Sequence, residues 1–176
     1  ESMSLSAHAA YLRAGQKMGD MQLIDTMIRD GLWDAFNGYH MGVTAENVAE
    51  RHQITRGAMD ALSVTSHQRA SKAIAEGRFK DQIVPVEVGG KKGPATFAVD
   101  EHPKATSADA LANLKPAFQR DGTVTAGNAS GINDGAAALV LSRSDKGSRA
   151  RIMGYALAGV DPKVMGLGPI PAVQAL

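Results

Sequence analysis

The stretch "DGTVTAGNASGINDGAAALVL", Asp121 to Leu141, places four glycines and a run of small residues directly before an apolar segment. Glycine leaves the backbone uncovered and tolerates positive φ, so such a cluster indicates a tight turn, a close crossing of two elements, or a ligand lying against main-chain N–H groups. Exposed backbone and small hydroxyls such as Ser130 suit recognition of an anion or an amide. The residues by themselves leave tight packing and ligand approach equally open.

Composition excludes several classes of protein. The 176 residues are 44% apolar and 21% charged, which predicts one globular domain or parts of two. A net charge of +1 does not favour nucleic acid or a membrane surface as a partner. The absence of cysteine excludes disulfides, thiolate metal sites and a cysteine nucleophile from these residues. Without a membrane-spanning run or a signal-peptide pattern, we expect a soluble cytoplasmic protein.

Three segments carry helix signals. Thr44 is predicted to cap a short helix over "AENVAERH", with Glu46 favourable in the first turn. Thr55 is predicted to cap a longer helix, whose apolar and small residues recur at three- and four-residue spacing until Gly77 ends it. A short helix over Ser107 to Leu114 is predicted to be capped by Ser107 and Asp109. Met18 to Phe36 lacks clean periodicity and indicates short helical turns and loop.

Strand signals follow the long helix. Asp81 to Val88 predicts an edge strand, because Pro85 cannot donate to a ladder, and "GGKKGPATF" after it has the composition of a hairpin turn. Ala136 to Ser142 and Arg151 to Val160 are continuously apolar. We therefore expect them to be strands covered on both faces, as in layered α/β folds.

Local motifs for chemistry are few. His40 lies between glycines in "GYHMG", an arrangement that would hold its imidazole and the Met41 thioether at a loop surface, with a packed loop as the alternative. His8, His52, His67 and His102 have polar neighbours and no metal-ligand spacing, so we expect ordinary surface residues and no metal site. Nucleophile elbows, Walker loops and G-x-G-x-x-G are all missing from the sequence.

Several ordered stretches together resemble the thiolase family. They are "ESMS", "YHMGVTAENVAERHQITR", "GRFKDQIVPV", "LKPAFQRDGTVTAGNASGINDGAAALVL" and "GVDPKVMGLGPIPA". The resemblance covers essentially the whole chain and is strongest to the biosynthetic acetoacetyl-CoA thiolases, or acetyl-CoA C-acetyltransferases. Because the chain starts without methionine and ends without a polar tail, we expect it to be the middle of a longer thiolase sequence.

The resemblance implies an α/β thiolase fold, only partly represented here. That fold has two layered αβαβα halves and an inserted α+β loop domain. It implies a CoA-binding loop domain over 1–131, the end of the N-terminal thiolase domain over 132–150, and the start of the C-terminal domain over 151–176. At "LSRSDKGSRARIMG" relatives usually have a longer, helical connection, so either this protein has lost it or the sequence omits residues.

The resemblance also implies a set of coenzyme A contacts: Leu32, His40, Met41, Lys104, Phe118, Ala126, Ser130 and Gly131. Leu32, Met41 and Phe118 would offer apolar surface to adenine and pantetheine, Ser130 a hydrogen bond to a pantetheine amide, and His40 a polar contact. Lys104 matches a position where many relatives carry arginine. The forked or stacked contact of a guanidinium is therefore replaced by the point charge of an ammonium. Met165 matches a residue near the acyl-binding end.

The activity implied is reversible Claisen condensation of two acetyl-CoA molecules into acetoacetyl-CoA and CoA, with CoA as substrate and product and no separate cofactor. The family uses a nucleophilic cysteine, a second cysteine as base, and oxyanion holes. None of these catalytic groups is in this chain, which alone should bind CoA at most.

Other interpretations stay open. They are a degradative 3-ketoacyl-CoA thiolase, an inactive CoA-binding fragment or split subunit, and a thiolase-like protein recruited for interaction or lipid carriage. Thiolases of this kind are commonly homotetramers, and "LRAGQKMGD" resembles the segment used in tetramer contacts.

Overall fold

The computed structural model describes residues 1–90, 93–144 and 146–176, which form two compact units. The first comprises Glu1–Gln53, Phe118–Gly122 and Ile132–Leu176, and the second Ile54–Ala117 and Thr123–Gly131. The helices and strands, in chain order, are β1 (His8–Ala9), β2 (Ile24–Asp25), a π-helix (Met27–Leu32), β3 (Trp33–Asp34), β4 (Tyr39–His40), α1 (Met41–Arg51), α2 (Arg56–Ala75), β5 (Val86–Val88), β6 (Ala95–Phe97), α3 (Ala108–Ala112), a 3₁₀ helix (Pro162–Leu167) and α4 (Pro169–Ala175).

Two short antiparallel pairs open the first unit. In the first pair His8 lies opposite Asp25, and in the second Trp33 lies opposite His40. The turn between β3 and β4 is closed by Asp34, whose carboxylate accepts from the backbone N–H groups of the next residues, while Gly38 supplies the positive φ of +74°. The expectation of helical turns and loop over Met18 to Phe36 is thus met by a π-helix flanked by two-residue strands.

Helix α1 begins earlier than its sequence pattern indicates. The cap is His40, whose Nδ1 accepts from the backbone N–H of Gly42 at 3.0 Å. The predicted cap, Thr44, lies inside the helix, buried, and its hydroxyl donates to the carbonyl of Met41. The prediction was wrong because an imidazole acceptor two residues before Gly42 satisfies the same orphan N–H groups as a threonine hydroxyl.

Helix α1 packs against the 3₁₀ helix. The Asn47 side-chain amide donates to the carbonyl of Lys163 at 2.9 Å and to the Tyr39 hydroxyl at 3.2 Å. Ala49 on α1 and Val164 on the 3₁₀ helix are both buried. One asparagine thereby ties β4 and α1 to the 3₁₀ helix, which is 116 residues away in sequence at Lys163.

The helices of the second unit start where the sequence predicts. The Thr55 hydroxyl accepts from the N–H of Ala58, and Gly77, with φ of +69°, follows the end of α2. Ser107 caps α3 by accepting from the N–H of Ala110, as predicted. The prediction that Asp109 is also a cap was wrong, because Asp109 lies in the first turn of the helix. A second cap is not needed, because Ser107 already occupies the single N-cap position.

The predicted hairpin of the second unit is present but shorter than expected. Strand β5 begins at Val86, after Pro85, and pairs antiparallel with β6, with Glu87 opposite Thr96. The part before Pro85 is not strand, because proline lacks the N–H that would continue the ladder. Lys91 and Lys92 of the predicted turn lie outside the described residues.

The two apolar segments expected to be doubly covered strands are not strands. Residues 136–142 and 151–160 are irregular and mostly exposed, with Leu139 89% and Val140 98% accessible. A strand needs a neighbour to pair its backbone groups, and within the described ranges none lies beside these segments. Apart from Asp145, which is outside those ranges, the connection between them contains turns and no helix.

Candidate functional site

The centre of the candidate site in the first unit is an aromatic pair. The imidazole of His40 stacks on the ring of Phe118, with centroids 4.7 Å apart and planes 23° from parallel. Both side chains are partly buried. Since Nδ1 of His40 is the acceptor that caps α1, the neutral ring holds its proton on Nε2, the nitrogen that can donate to a ligand.

Glycine at position 42 makes this pair possible. A Cβ built there would overlap the Phe118 ring, so the backbone of the first turn of α1 and the aromatic ring occupy adjoining space. The N-terminus of α1, His40 and Phe118 therefore form one packed cluster. We call Gly42, His40 and Phe118 the aromatic cluster.

Three further predicted residues belong to the same unit. Leu32 ends the π-helix directly before Trp33, the residue paired with His40. Met41 is the first residue of α1, and Met165 lies half-exposed on the 3₁₀ helix that packs against α1. Leu32 and Met41 are thus next in sequence to the paired residues Trp33 and His40.

The second unit contains the glycine-rich loop over Thr123–Gly131. Asn128 folds this loop back on itself: its Oδ1 accepts from the N–H of Thr125 at 2.8 Å, and its Nδ2 donates to the carbonyl of Thr123 at 3.0 Å. The same amide donates to Asp60 on α2 at 3.0 Å. Thr125 is 0% accessible, so the loop is anchored at its base in the interior of the unit.

Asp60 connects that loop to a buried charge pair. Its other carboxylate oxygen accepts from Arg56 Nε at 2.7 Å, and Arg56 also donates to the carbonyls of Leu111 and Leu114 on and after α3. The Arg56 guanidinium, the Asp60 carboxylate and the two carbonyls thus satisfy one another's hydrogen bonds, which lowers the cost of taking them out of water. They hold α2, α3 and the base of the loop in one arrangement.

The glycines of the opening stretch have different explanations. A Cβ at Gly127 would come within 2.6 Å of the side chains of Leu111 and Leu114, so this position is glycine for packing reasons. At Gly135 a Cβ would meet nothing within 4 Å. Ala126, Ser130 and Gly131 are exposed, which leaves this side of the loop accessible to a ligand. Tight packing therefore accounts for part of the small-residue pattern and leaves ligand approach open for the rest.

Lys104 lies in the irregular segment between β6 and α3 of the second unit and is exposed. Its backbone N–H donates to Nδ1 of His67 on α2 at 3.3 Å. Among the predicted residues the structure brings His40 and Phe118 into contact, while Ala126, Ser130 and Gly131 share one loop because they are close in sequence. Lys104 is tied to α2 within the second unit.

Sequence reasoning missed the residues that support the site. Gly42 carries no signal by itself because Phe118 is distant in sequence, and the same holds for the bond between Asn128 and Asp60. Arg56 and Asp60 do have the i,i+4 spacing of a helical ion pair, which could have drawn attention to them. His67 was expected to be an ordinary surface residue, whereas it is partly buried and accepts a backbone N–H.

Within 1–90, 93–144 and 146–176, there is no group of three or more histidine, cysteine, aspartate or glutamate side chains that could hold a metal ion. None of the helices found in these ranges has the length and apolar character required to cross a bilayer.

Residues 1–145 match the family model described as "Thiolase, N-terminal domain". The chain belongs to the thiolase family and has its α/β fold. It is 54% identical over 179 aligned residues to an acetyl-CoA acetyltransferase of Paracoccus denitrificans, an alignment that covers 98% of this chain and 46% of that protein. The chain thus spans about half the length of the curated relatives it matches.

Two solved structures are similar throughout the chain. One is an acetyl-CoA acetyltransferase of Bacillus anthracis, with a TM-score of 0.88 and 46% identity over 99% of this chain and 46% of that one. The other is human mitochondrial 3-ketoacyl-CoA thiolase, with a TM-score of 0.85 and 39% identity over the same shares of the two chains. These values confirm the fold class that the sequence motifs imply.

Proposed function

We propose that the protein containing these residues is an acetyl-CoA acetyltransferase, and that this chain supplies coenzyme A contacts. The observation that carries the proposal is the similarity, over nearly the whole chain, to relatives with that name. The substrates are acetyl-CoA, acetoacetyl-CoA and CoA, and the reaction is the reversible Claisen condensation with an acetyl-cysteine intermediate. We propose neither nucleic acid nor a membrane as partner.

The aromatic cluster suits one part of this ligand. Phe118 and His40 form a flat stacked surface, and such surfaces bind adenine or a pantetheine chain. In this proposal Leu32 and Met41 add apolar contacts to the ligand. The proton on His40 Nε2 suits an acceptor, such as a pantetheine carbonyl or a water bound to it. His40 is therefore a donor to the ligand in this proposal.

The glycine-rich loop suits another part. Ala126 and Gly131 cover little of the backbone, and Ser130 offers a hydroxyl that can bond a pantetheine amide. Lys104 supplies positive charge for a CoA phosphate. Met165 is proposed to border the acyl end.

The chemical step requires groups that these residues lack. The acetyl group must pass from sulfur to sulfur through a cysteine nucleophile, and the chain has no cysteine. The nucleophile, the base and the oxyanion donors therefore have to come from other segments of the protein. The contribution of this chain to catalysis is to bind and orient the CoA portion of the substrate.

The test is binding and thiolysis by the protein expressed from its complete gene. Loss of acetoacetyl-CoA is followed after CoA is added, and CoA affinity is measured by calorimetry. Phe118→Ala should weaken CoA binding about tenfold or more. The matched control Phe36→Ala, which removes a ring that is 85% exposed, should leave affinity unchanged. Activity without any effect of Phe118→Ala would contradict the proposed contacts.

A degradative 3-ketoacyl-CoA thiolase is the second candidate, favoured by the similarity to the human mitochondrial enzyme of that name. Thiolysis rates with acetoacetyl-CoA and with a long-chain 3-ketoacyl-CoA separate the two, since the biosynthetic type should prefer the short substrate. CoA binding without thiolysis would instead support an inactive fragment or split subunit. If the protein shows no CoA binding and no thiolysis, the interpretation that stays open is a role in interaction or lipid carriage.

Organisation, assembly and location are also proposals. We propose that residues 1–131 form the loop domain, that 132–150 end the N-terminal thiolase domain, and that 151–176 begin the C-terminal one. A homotetramer with contacts through "LRAGQKMGD" and a cytoplasmic location are proposed from the family resemblance. Light scattering of the protein, with and without a charge substitution at Leu12, tests the assembly.

A further inference from the structure

A histidine on α2 holds the backbone of the segment that carries Lys104. His67 is partly buried, and its Nδ1 accepts the N–H of Lys104 at 3.3 Å, across 37 residues of sequence. The His102 ring lies beside the His67 ring, with centroids 6.1 Å apart and planes 29° from parallel. Within this segment the N–H of His102 donates to Asp100 at 3.0 Å.

This contact matters because the segment has no regular structure of its own. Residues 98–106, between β6 and α3, form neither helix nor strand, so no backbone ladder determines where Lys104 points. A lysine ammonium is a point charge on a flexible stem, and its useful reach depends on where its backbone is held. The bond to His67 fixes that backbone against the longest helix of the unit.

We propose that His67 is a positioning residue, which holds Lys104 so that its ammonium meets a phosphate of coenzyme A. The inference rests on the proposed function, because it presumes that Lys104 contacts the ligand. His67 itself touches no substrate in this scheme. It acts through the backbone of Lys104.

The contact depends on the charge of the imidazole. Nδ1 can accept the Lys104 N–H only in the neutral ring with the proton on Nε2, because both nitrogens of a protonated ring are donors. The contact therefore uses the neutral His67 ring with its proton on Nε2.

The test is CoA affinity by calorimetry at pH 8, with the protein expressed from its complete gene. His67→Ala should weaken binding about three- to tenfold, the range expected for one hydrogen bond. His67→Asn places an amide oxygen where Nδ1 stands, so it should bind within about twofold of wild type. The asparagine should thus restore the affinity that the alanine loses.

Lys104→Ala completes the set by removing the charge that the proposal places on the phosphate. If wild type does not bind CoA, the proposed function fails. If wild type binds and Lys104→Ala binds weakly, while His67→Ala binds as tightly as wild type, the inference about His67 is overturned and the proposed function stands. Failure of His67→Asn to bind more tightly than His67→Ala would overturn it as well.

Discussion

The ring of Phe118 lies flat against the imidazole of His40, 4.7 Å away between centroids, and the two residues are 78 positions apart in the sequence. His40 simultaneously caps α1, so one side chain ends a strand, starts a helix and supports an aromatic ring. The position of Phe118 is in turn restricted by the bare backbone of Gly42. Changes at any of the three residues should therefore be felt by the other two.

Gly42→Ala should displace the ring of Phe118 and open the stack on His40. The added methyl group has no room, and overpacking of this kind costs about 1–3 kcal/mol of unfolding free energy. Urea denaturation measures the cost, and CoA affinity should fall along with it. The matched control is Gly57→Ala in α2, where a Cβ meets nothing within 4 Å. That variant should be unchanged or more stable by up to about 1 kcal/mol, because alanine favours helix.

Two substitutions of His40 separate its cap from its stack. Asparagine is a strong N-cap residue, so His40→Asn should keep the start of α1 and lose only the ring contact with Phe118. His40→Ala should lose both, and the further loss should be about 0.5–2 kcal/mol. Denaturation of the two variants under the same conditions gives the difference. Equal stabilities would show that the hydrogen bond from Gly42 to the imidazole contributes nothing.

Removal of the Asp60 carboxylate should destabilise the protein more than loss of any surface ion pair. Asp60→Ala leaves Arg56 without its partner and frees the Asn128 amide that closes the glycine-rich loop. We expect a loss of about 2–4 kcal/mol, with Arg56 partly exposed and therefore partly solvated after the change. The control is Glu76→Ala, whose pairs with Lys72 and Arg78 are exposed, and which should cost under about 1 kcal/mol. Similar losses for both variants would contradict the role assigned to the buried pair.

Asp34 should make the β3–β4 turn sensitive to acid. The side-chain amide of Asn37, followed by the backbone N–H groups of Asn37 and Phe36, lowers the pKa of its carboxyl below the ordinary value. A carboxyl whose pKa is lower in the folded protein stabilises it above the pKa of the unfolded chain, about 4, and loses that effect as the pH falls through the folded value.

Asp34→Ala should therefore be less stable than wild type at pH 7, and the gap should shrink below about pH 4 as the wild-type carboxyl is protonated. Denaturation midpoints of the two proteins at a series of pH values measure the gap. A gap that stays constant into acid would show that the carboxylate charge is not what closes the turn.

Some elements could be predicted from sequence because their determinants are local. Helix α2 is bounded by Thr55 and Gly77, and both act on the backbone within a few residues of themselves. The start of α1 could not be predicted in the same way. Thr44 has the right residue type, but His40 already accepts from the N–H of Gly42, and its ring stacks on the distant Phe118.

The apolar segment around Val140 marks another limit. Its composition predicts burial on both faces, but burial requires a neighbouring strand, and the described part of the chain places none beside it. The proposed CoA contacts likewise include residues that the sequence identifies and a dependence that only the tertiary structure shows. The exposed loop residues Ala126, Ser130 and Gly131 were identified together because they are sequence neighbours, whereas the dependence of Lys104 on His67 joins two distant segments.

By itself, the sequence determined the family, the class of fold, the capped helices of the second unit, and the absence of any cysteine nucleophile from these residues. Those properties reside in ordered motifs, residue identities and local hydrogen bonds. Tertiary structure decided the rest: which ring supports His40, why position 42 carries no side chain, and how Asp60 and Asn128 anchor the glycine-rich loop. These contacts arise only when folding brings distant segments to within hydrogen-bond or van der Waals distance, and spacing along a single chain does not encode them.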